Sequence, residues 1–333
     1  MRSVRALPKA HLHLHIEGSA RRETILEFAK RYDARVTRES LLDIGPTFDA
    51  FVKCYYQAVS VIRTPEDLTR VCEELVIDEA TEGVLYSEPM IDPGSYCEVL
   101  DCSYEDVFQI MRAGFDRGSR TTGVAVGLMI AAVRELMTQD RVERAAQFGA
   151  EHADQGVVSF GMAGPESGSD HHRFKRASDI AREAGLLVVP HAGEMGGPKS
   201  VRAALRELRP DRIGHGVQAV EDSSVLEELV ASGVTCDVCL HSNVALGVAP
   251  SVAEHQVAAM LAAGVPVTLN SDDQLFFGAR VSDEYEAARR HLNLSDDQLA
   301  AIARTSARAS GASRQLKDEI LTGIDAWLAR QAG

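Results

Sequence analysis

Near the start of the chain, side chains able to bind metal or move protons recur at every second position. His11, His13, His15 and Glu17 alternate with Leu12, Leu14 and Ile16. A period of two is the pattern of a β-strand and places the three histidines and the glutamate on one face. Same-face neighbours stand roughly 6.5–7 Å apart, and from there two imidazoles can close on one metal ion about 2 Å from each nitrogen. Further along, His191 and Glu194, then His215, then Asp272 and Asp273, each follow a short apolar run, as does Gly164. Three imidazoles and one carboxylate suit zinc. The expected ligands of a single Zn2+ are His13, His15, His191 and Asp272. Glu194, His215 and Asp273 are then left to move protons. One group orienting and deprotonating water while another protonates the substrate is the requirement of a hydrolysis.

The elements that must hold these groups read as alternating strand and helix. Strands are expected at 11–17, 84–91, 124–130, 157–162, 186–190, 212–214, 234–238 and 265–269. Helices are expected at 22–32, 65–82, 103–120, 138–152, 171–184, 198–208, 221–232 and 252–263, with more to the C-terminus. Several strands are short and apolar throughout, as strands buried on both faces must be. Eight β-α units in 333 residues predict a TIM (β/α)8 barrel, with a doubly wound open sheet as the alternative. The expected organisation is one metal-dependent hydrolase domain over residues 1–333. It carries a helical insert or lid at 34–65 after the first strand, and extra C-terminal helices. All the chemistry-bearing residues then fall at strand C-terminal ends, the rim on which barrel enzymes build their sites.

Composition narrows the partners. A formal charge of −14 argues against nucleic-acid phosphate. No run of 18 apolar residues suggests a membrane span, and no signal-peptide pattern follows Met1, so a cytoplasmic location is expected. Six scattered cysteines form no disulfide framework, and Cys236 and Cys239 make a lone C-x-x-C without a second pair. They are expected to be reduced core thiols.

The stretch Leu7-Pro8-Lys9-Ala10-His11-Leu12-His13-Leu14-His15-Ile16-Glu17-Gly18 resembles the opening signature of the adenosine/adenine deaminase family within the amidohydrolase superfamily. His191-Ala192-Gly193-Glu194, Ile213-Gly214-His215-Gly216, Ser242-Asn243 and Asn270-Ser271-Asp272-Asp273 are similar to its later motifs, in order, across essentially the whole chain. The resemblance implies a mononuclear zinc enzyme, an aminohydrolase acting on a cyclic amidine C–N bond, that replaces the 6-amino group of a small-molecule purine with oxygen. By position it implies that Glu194 protonates purine N1 and that His215 assists deprotonation of the zinc-bound water or stabilises the hydroxide. Asp273 would steer the attacking oxygen, and the Gly164 backbone N–H would donate to purine N3.

Departures from the family pattern bear on the substrate. Glu17 stands where adenosine-specific members usually carry the aspartate that meets the ribose 5′-hydroxyl, and looks like the adenine-deaminating branch. Ser87-Glu88-Pro89-Met90-Ile91-Asp92-Pro93 alters another expected wall, and Gln274 replaces a common proline. Adenosine, giving inosine and ammonia, is the first expectation. Adenine or an N9-extended adenosine such as aminodeoxyfutalosine is the alternative, and a catalytically dead purine-binding protein of this fold is the reading from another class. Other amidohydrolase reactions often use a carboxylated lysine after strand four, and no lysine lies near Met162. His11 is expected to support the ligands rather than join them. His171 and His172 are expected at the surface, and His152, His255 and His291 as ordinary helix residues. A pocket role is open for His241. Phe48, Phe51, Tyr55 and Tyr56 are expected as the core of the insert.

Overall fold

The computed structural model describes residues 1–45, 47–166 and 171–330. Pro46 of the expected insert, and Ser167 and Gly168 of the loop after the fourth expected strand, lie outside them. The strands are β1 Lys9–His15, β2 Val84–Ile91, β3 Ala125–Val126, β4 Leu128–Val133, β5 Val157–Ala163, β6 Leu187–Ala192, β7 Arg212–His215, β8 Thr235–Val238 and β9 Val267–Leu269. All pairings are parallel, in the order β1-β2-β4-β5-β6-β7-β8-β9. β3 and β4 are two halves of one barrel strand, broken at Gly127. A Cβ there would stand 2.1 Å from Tyr86 Oη, so only glycine lets the strand pass. The ring closes where Leu14 bridges Asp272. The Asp272 N–H donates to His13 O at 3.1 Å, and the His15 N–H to Asp272 O at 3.5 Å. The TIM barrel expected from the alternation is therefore what forms.

Helices cover the strands, and side-chain caps start several of them. Thr64 and Asp67 form a reciprocal capping box for Pro65–Thr81, as do Ser103 and Asp106 for Tyr104–Thr122, satisfying N–H groups that a helix start otherwise leaves open. The insert contains Arg38–Leu42 and Phe48–Val59. Val281–His291, Asp296–Ala309 and Arg314–Ala329 end the chain. Two expected helices are shorter than read. His171–Phe174 is a 3-10 turn before Lys175–Glu183. The helix expected at 252–263 starts at Val257, because the His255 ring takes the Val257 N–H and holds the chain outside the helix. Among the described residues no helix is long and apolar enough to cross a membrane.

The barrel interior beneath the rim carries charge. Arg212 donates to Glu88 at 2.6 Å, to Asp237 at 2.9 Å and to Ala309 O at 2.9 Å. Asp237 accepts from Thr268 Oγ1, which accepts from Asn270 Nδ2. Asn270 Oδ1 takes the N–H groups of both Leu12 and His13. Glu88, expected in a substrate wall, is instead a member of this buried network. Of its stretch, Met90 and Asp92 reach the cavity above.

Candidate active site

β1 does not keep the face that its alternation predicts. The β1–β2 register shifts between His11 and Leu14, where the Asn270 side chain takes two β1 amides. A register irregularity of this kind re-aims side chains. His11 pairs with Glu79 of helix Pro65–Thr81 through Nδ1 at 2.7 Å, and its Nε2 accepts from the Ser271 N–H at 3.1 Å. His13 and His15 instead meet the other rim groups. The ring centroids of His13 lie 4.5 Å from His191, 4.7 Å from His215 and 5.7 Å from His15.

Asp272 sits between them. Its Oδ1 is 3.5 Å from His13 Nε2 and 3.4 Å from His15 Nε2, and its Oδ2 accepts from Ser242 at 2.6 Å. Both Asp272 and His215 adopt the left-handed backbone region, at φ 59° and 64°, a conformation that concentrates at functional sites. Gly18 lets Asp273 approach β1, since a Cβ on it would stand 1.7 Å from Asp273 Oδ1.

These residues fit a metal ion. Donor atoms sharing an ion at about 2.0–2.1 Å stand roughly 3.4 Å apart in a tetrahedral shell, which is the separation of Asp272 from its two histidines. His13 Nε2 and His191 Nδ1 are buried without a hydrogen-bond partner, a costly arrangement unless something binds them. His13, His191 and His215 form one set of potential ligand atoms within 4.8 Å of one another, and His15, Asp272 and Asp273 form another.

Burial and crowding drive the ionisable groups apart. Burial, with Asp272, Glu166 and Asp273 nearby, pushes the Glu194 carboxyl well above its usual range. Burial and the neighbouring imidazoles His13 and His215 hold His191 well below the usual histidine value. Burial opposes charge on His15, but Asp273, Asp272 and Glu17 outweigh it and lift the imidazole to about 9. Burial also opposes the Asp272 charge, yet its contacts with His13 and His15 keep it well below the ordinary carboxylate range. A carboxyl kept protonated beside groups that call for a cation is a division of acid and base roles.

Two residues not singled out by the sequence reading fix the loops. The Glu166 carboxylate accepts from the backbone N–H groups of Gly193, Glu194, Met195 and Gly196, so it holds the turn that presents Glu194. Buried Arg134 donates to Gly164 O at 2.7 Å and His191 O at 2.5 Å, tying two rim loops together. Nothing local in the sequence marks the four-amide role of Glu166. Arg134 is a lone arginine following an apolar strand.

A cavity of about 910 Å³, counting its open mouth, rises from this cluster. Its walls include Phe51, Tyr55, Tyr56, Met90 and Leu136, and its acidic groups beyond the cluster are Glu17, Asp92 and Glu135. No lysine or arginine among the described residues lines it. The insert aromatics therefore form a cavity wall while also packing on Phe276 and Phe277. Glu17 is clamped by Tyr55 Oη at 2.6 Å and Tyr96 Oη at 2.8 Å. Gly164 lines the same space. All nine residues expected at the site thus gather at this rim or line its cavity. His241 does not line it; its ring is turned to Glu284 at 2.7 Å. His171 is buried rather than at the surface, and His255 is buried in a loop beside Asn243.

The chain matches a family model described as adenosine deaminase over residues 8–327. It is 39% identical over 335 residues to a Streptomyces virginiae protein described as an adenosine/adenine deaminase, covering 98% of each chain. It is 35% identical over 350 residues to an aminodeoxyfutalosine deaminase of Streptomyces coelicolor, covering 98% of this chain and 87% of that one. The crystal structure of an adenine deaminase from Arthrobacter aurescens superposes with a TM-score of 0.85 at 30% identity, covering 97% of this chain and 99% of that one.

Proposed function

The chain belongs to the adenosine deaminase family of hydrolytic purine deaminases, and from that premise we propose that it converts adenosine to inosine and ammonia with one zinc ion held by His13, His15, His191 and Asp272. The observation that carries this is a buried carboxyl, Glu194, whose charged form is disfavoured by burial and by Asp272, standing beside a metal-fitting cluster on a barrel rim. Zinc bound there supplies a water acidic enough to give hydroxide near neutral pH, its pKa lowered towards about 7.

The remaining work falls to the chain. Glu194 gives its proton to purine N1, which makes C6 an electrophilic amidine carbon. Asp273 hydrogen-bonds the oxygen that attacks C6 and steers it, with His215 facing the same space. The Gly164 N–H donates to N3 and sets the ring. A C6–O bond forms with water, one proton of which passes by way of Asp273 to the amino nitrogen; the C6–N bond breaks, that nitrogen leaves as ammonia, and the second water proton restores the Glu194 acid. Arg134 and Glu166 hold the loops that carry Gly164, His191 and Glu194, so that the acid meets N1 in a fixed geometry.

The cavity supports a purine bearing an uncharged sugar. Asp92, Ser95 and Glu135 line it together with the cluster, and such groups accept hydrogen bonds from hydroxyls. A lining that adds Glu17, Asp92 and Glu135 to the cluster's own carboxyls, with no lysine or arginine among the described residues, disfavours a phosphate. Adenine is the second reading, favoured because both Glu17 oxygens already receive tyrosine hydroxyls. An ammonia-release screen over adenosine, deoxyadenosine, adenine, AMP and aminodeoxyfutalosine tests this, alongside metal analysis. Highest kcat/KM on adenosine with about one zinc per chain is expected. A preference for AMP, or activity that needs two metals per chain, overturns it.

A further inference from the structure

The polarity of hydrogen bonding around His215 is set from its far side. The backbone N–H of Val257, which can only donate, reaches His255 Nδ1 at 3.0 Å. That nitrogen accepts, so it carries no proton, and the ring proton of His255 is on Nε2. Burial holds the pKa of this ring down to about 4, in keeping with a neutral imidazole. His255 Nε2 stands 3.1 Å from Asn243 Oδ1, which accepts. The other end of the same amide, Nδ2, is a donor and stands 3.2 Å from His215 Nδ1. A flipped amide would set its N–H groups against the His255 Nε2–H, which excludes that orientation. His215 Nδ1 is therefore an acceptor, and its ring proton is on Nε2. All three side chains are buried, at 2%, 0% and 1% exposure for His255, Asn243 and His215, so water does not compete for these bonds.

We propose that Asn243 and His255 are positioning residues that hold His215 in the tautomer whose Nε2–H points into the active site. Nε2 lies 3.6 Å from Glu194 Oε2 and 3.9 Å from Asp272 Oδ2. Two consequences follow for the proposed deamination, on which this part of the inference rests. His215 has a ring nitrogen close enough to those of His13 and His191 to share an ion with them, but a protonated Nε2 has no lone pair to give, so His215 stays out of the ligand set. In the same state it cannot take a proton from water. It donates a hydrogen bond to the oxygen that attacks C6 and stabilises negative charge there.

The test reads the tautomer itself. Histidine ring nitrogens of the full-length, 15N-histidine-labelled protein are observed by long-range proton–nitrogen correlation, with His215 assigned from the signals lost in His215→Gln. The expected pattern is a protonated Nε2 and an unprotonated Nδ1 at His215. Asn243→Asp replaces the amide donor with an acceptor, so Nδ1 gains the proton, kcat falls on the order of 10²-fold, and zinc content is kept. His255→Gln presents an amide N–H in place of Nε2–H and retains both the wild-type pattern and most turnover. A wild-type His215 protonated on Nδ1, or a pattern unchanged by Asn243→Asp, overturns the proposal. The nitrogen signals need no substrate, so a wrong substrate assignment leaves this readout intact.

Discussion

Two clusters of buried charge share one barrel and behave oppositely. At the lower cluster, burial works against the Arg212 charge, but Glu88 and Asp237 at 2.6 and 2.9 Å more than offset it and hold the guanidinium above its ordinary range. Each member is bonded, through Thr268 and Asn270 up to the backbone of β1. At the rim, four imidazoles crowd around Asp272 and Glu194, and two ring nitrogens have no hydrogen-bond partner. The same burial that the lower network withstands through pairing here drives ionisations apart, pushing the Glu194 carboxyl up and the His191 imidazole down. Satisfied charge fixes a structure; unsatisfied charge is available to a metal and a substrate.

The contrast is broken most forcefully from below. Arg212→Met strands two buried carboxylates and is expected to cost about 3–5 kcal/mol of stability, read by urea denaturation. Replacing Glu88, Arg212 and Asp237 together by apolar residues of similar volume should recover most of it. A single variant within about 0.5 kcal/mol of wild type would show that the lower network does not depend on pairing. Glu194→Gln is the counterpart at the rim. It should lower turnover by on the order of 10²-fold or more, about 2.7 kcal/mol of barrier. Zinc content and unfolding midpoint should hold, because a neutral amide replaces an acid that is already protonated. Near-normal turnover would place the proton donor elsewhere.

How much of this was legible in the sequence follows from the range of each contact. His13, His15, His191, Glu194, His215, Asp272 and Asp273 could be read because each ends an apolar strand, and a parallel barrel brings strand ends to one rim. The partners that hold them could not. Glu166 reaches a turn 27 to 30 residues away, and Arg212 reaches Glu88 across 124. The alternation places His11 on the face of His13 and His15 because a register shift is invisible to it, although His11 is expected outside the ligand set and is found there, bonded to Glu79 and Ser271. His255 read as an ordinary helix residue because its ring interrupts the helix in which the pattern places it. Phe51 and Tyr55 serve as packing and wall at once, which an apolar pattern does not distinguish.

His255 also sharpens the comparison through pH. Burial lowers its pKa from 6.5 to about 4 in the folded state. Between these values the unfolded chain binds the proton more readily. Its contribution is therefore fully present above pH 6.5 and is lost as pH falls towards 4. Between pH 7 and pH 5 this amounts to on the order of 1–2 kcal/mol. The difference between the wild-type and His255→Gln stability curves isolates it. Equal slopes for the two proteins over that interval would mean that His255 is not held neutral. Arg212 does not titrate in this range, and the triple apolar variant keeps neither Glu88 nor Asp237 to take up a proton, so it should shift the curve without changing that slope.

Glu17 belongs to both regimes and gives the smallest expected effect. Its oxygens are satisfied by Tyr55 and Tyr96, as in the lower network, yet it lines the cavity, as the rim groups do. Glu17→Asp removes one methylene, and the shorter carboxylate cannot keep both hydroxyls without moving the insert helix that carries Tyr55. If Glu17 limits the room for ribose, the ratio of adenosine to adenine turnover should rise by about tenfold, the usual worth of a methylene in a pocket. If it serves only to pin the insert, that ratio stays fixed while the unfolding free energy drops by about 1 kcal/mol, as when one hydrogen bond is lost. Tyr96→Phe separates the two readings, since it removes a bond to Glu17 without shortening the carboxylate. A ratio that moves in Glu17→Asp but not in Tyr96→Phe assigns the effect to carboxylate length, and equal shifts in both assign it to the clamp.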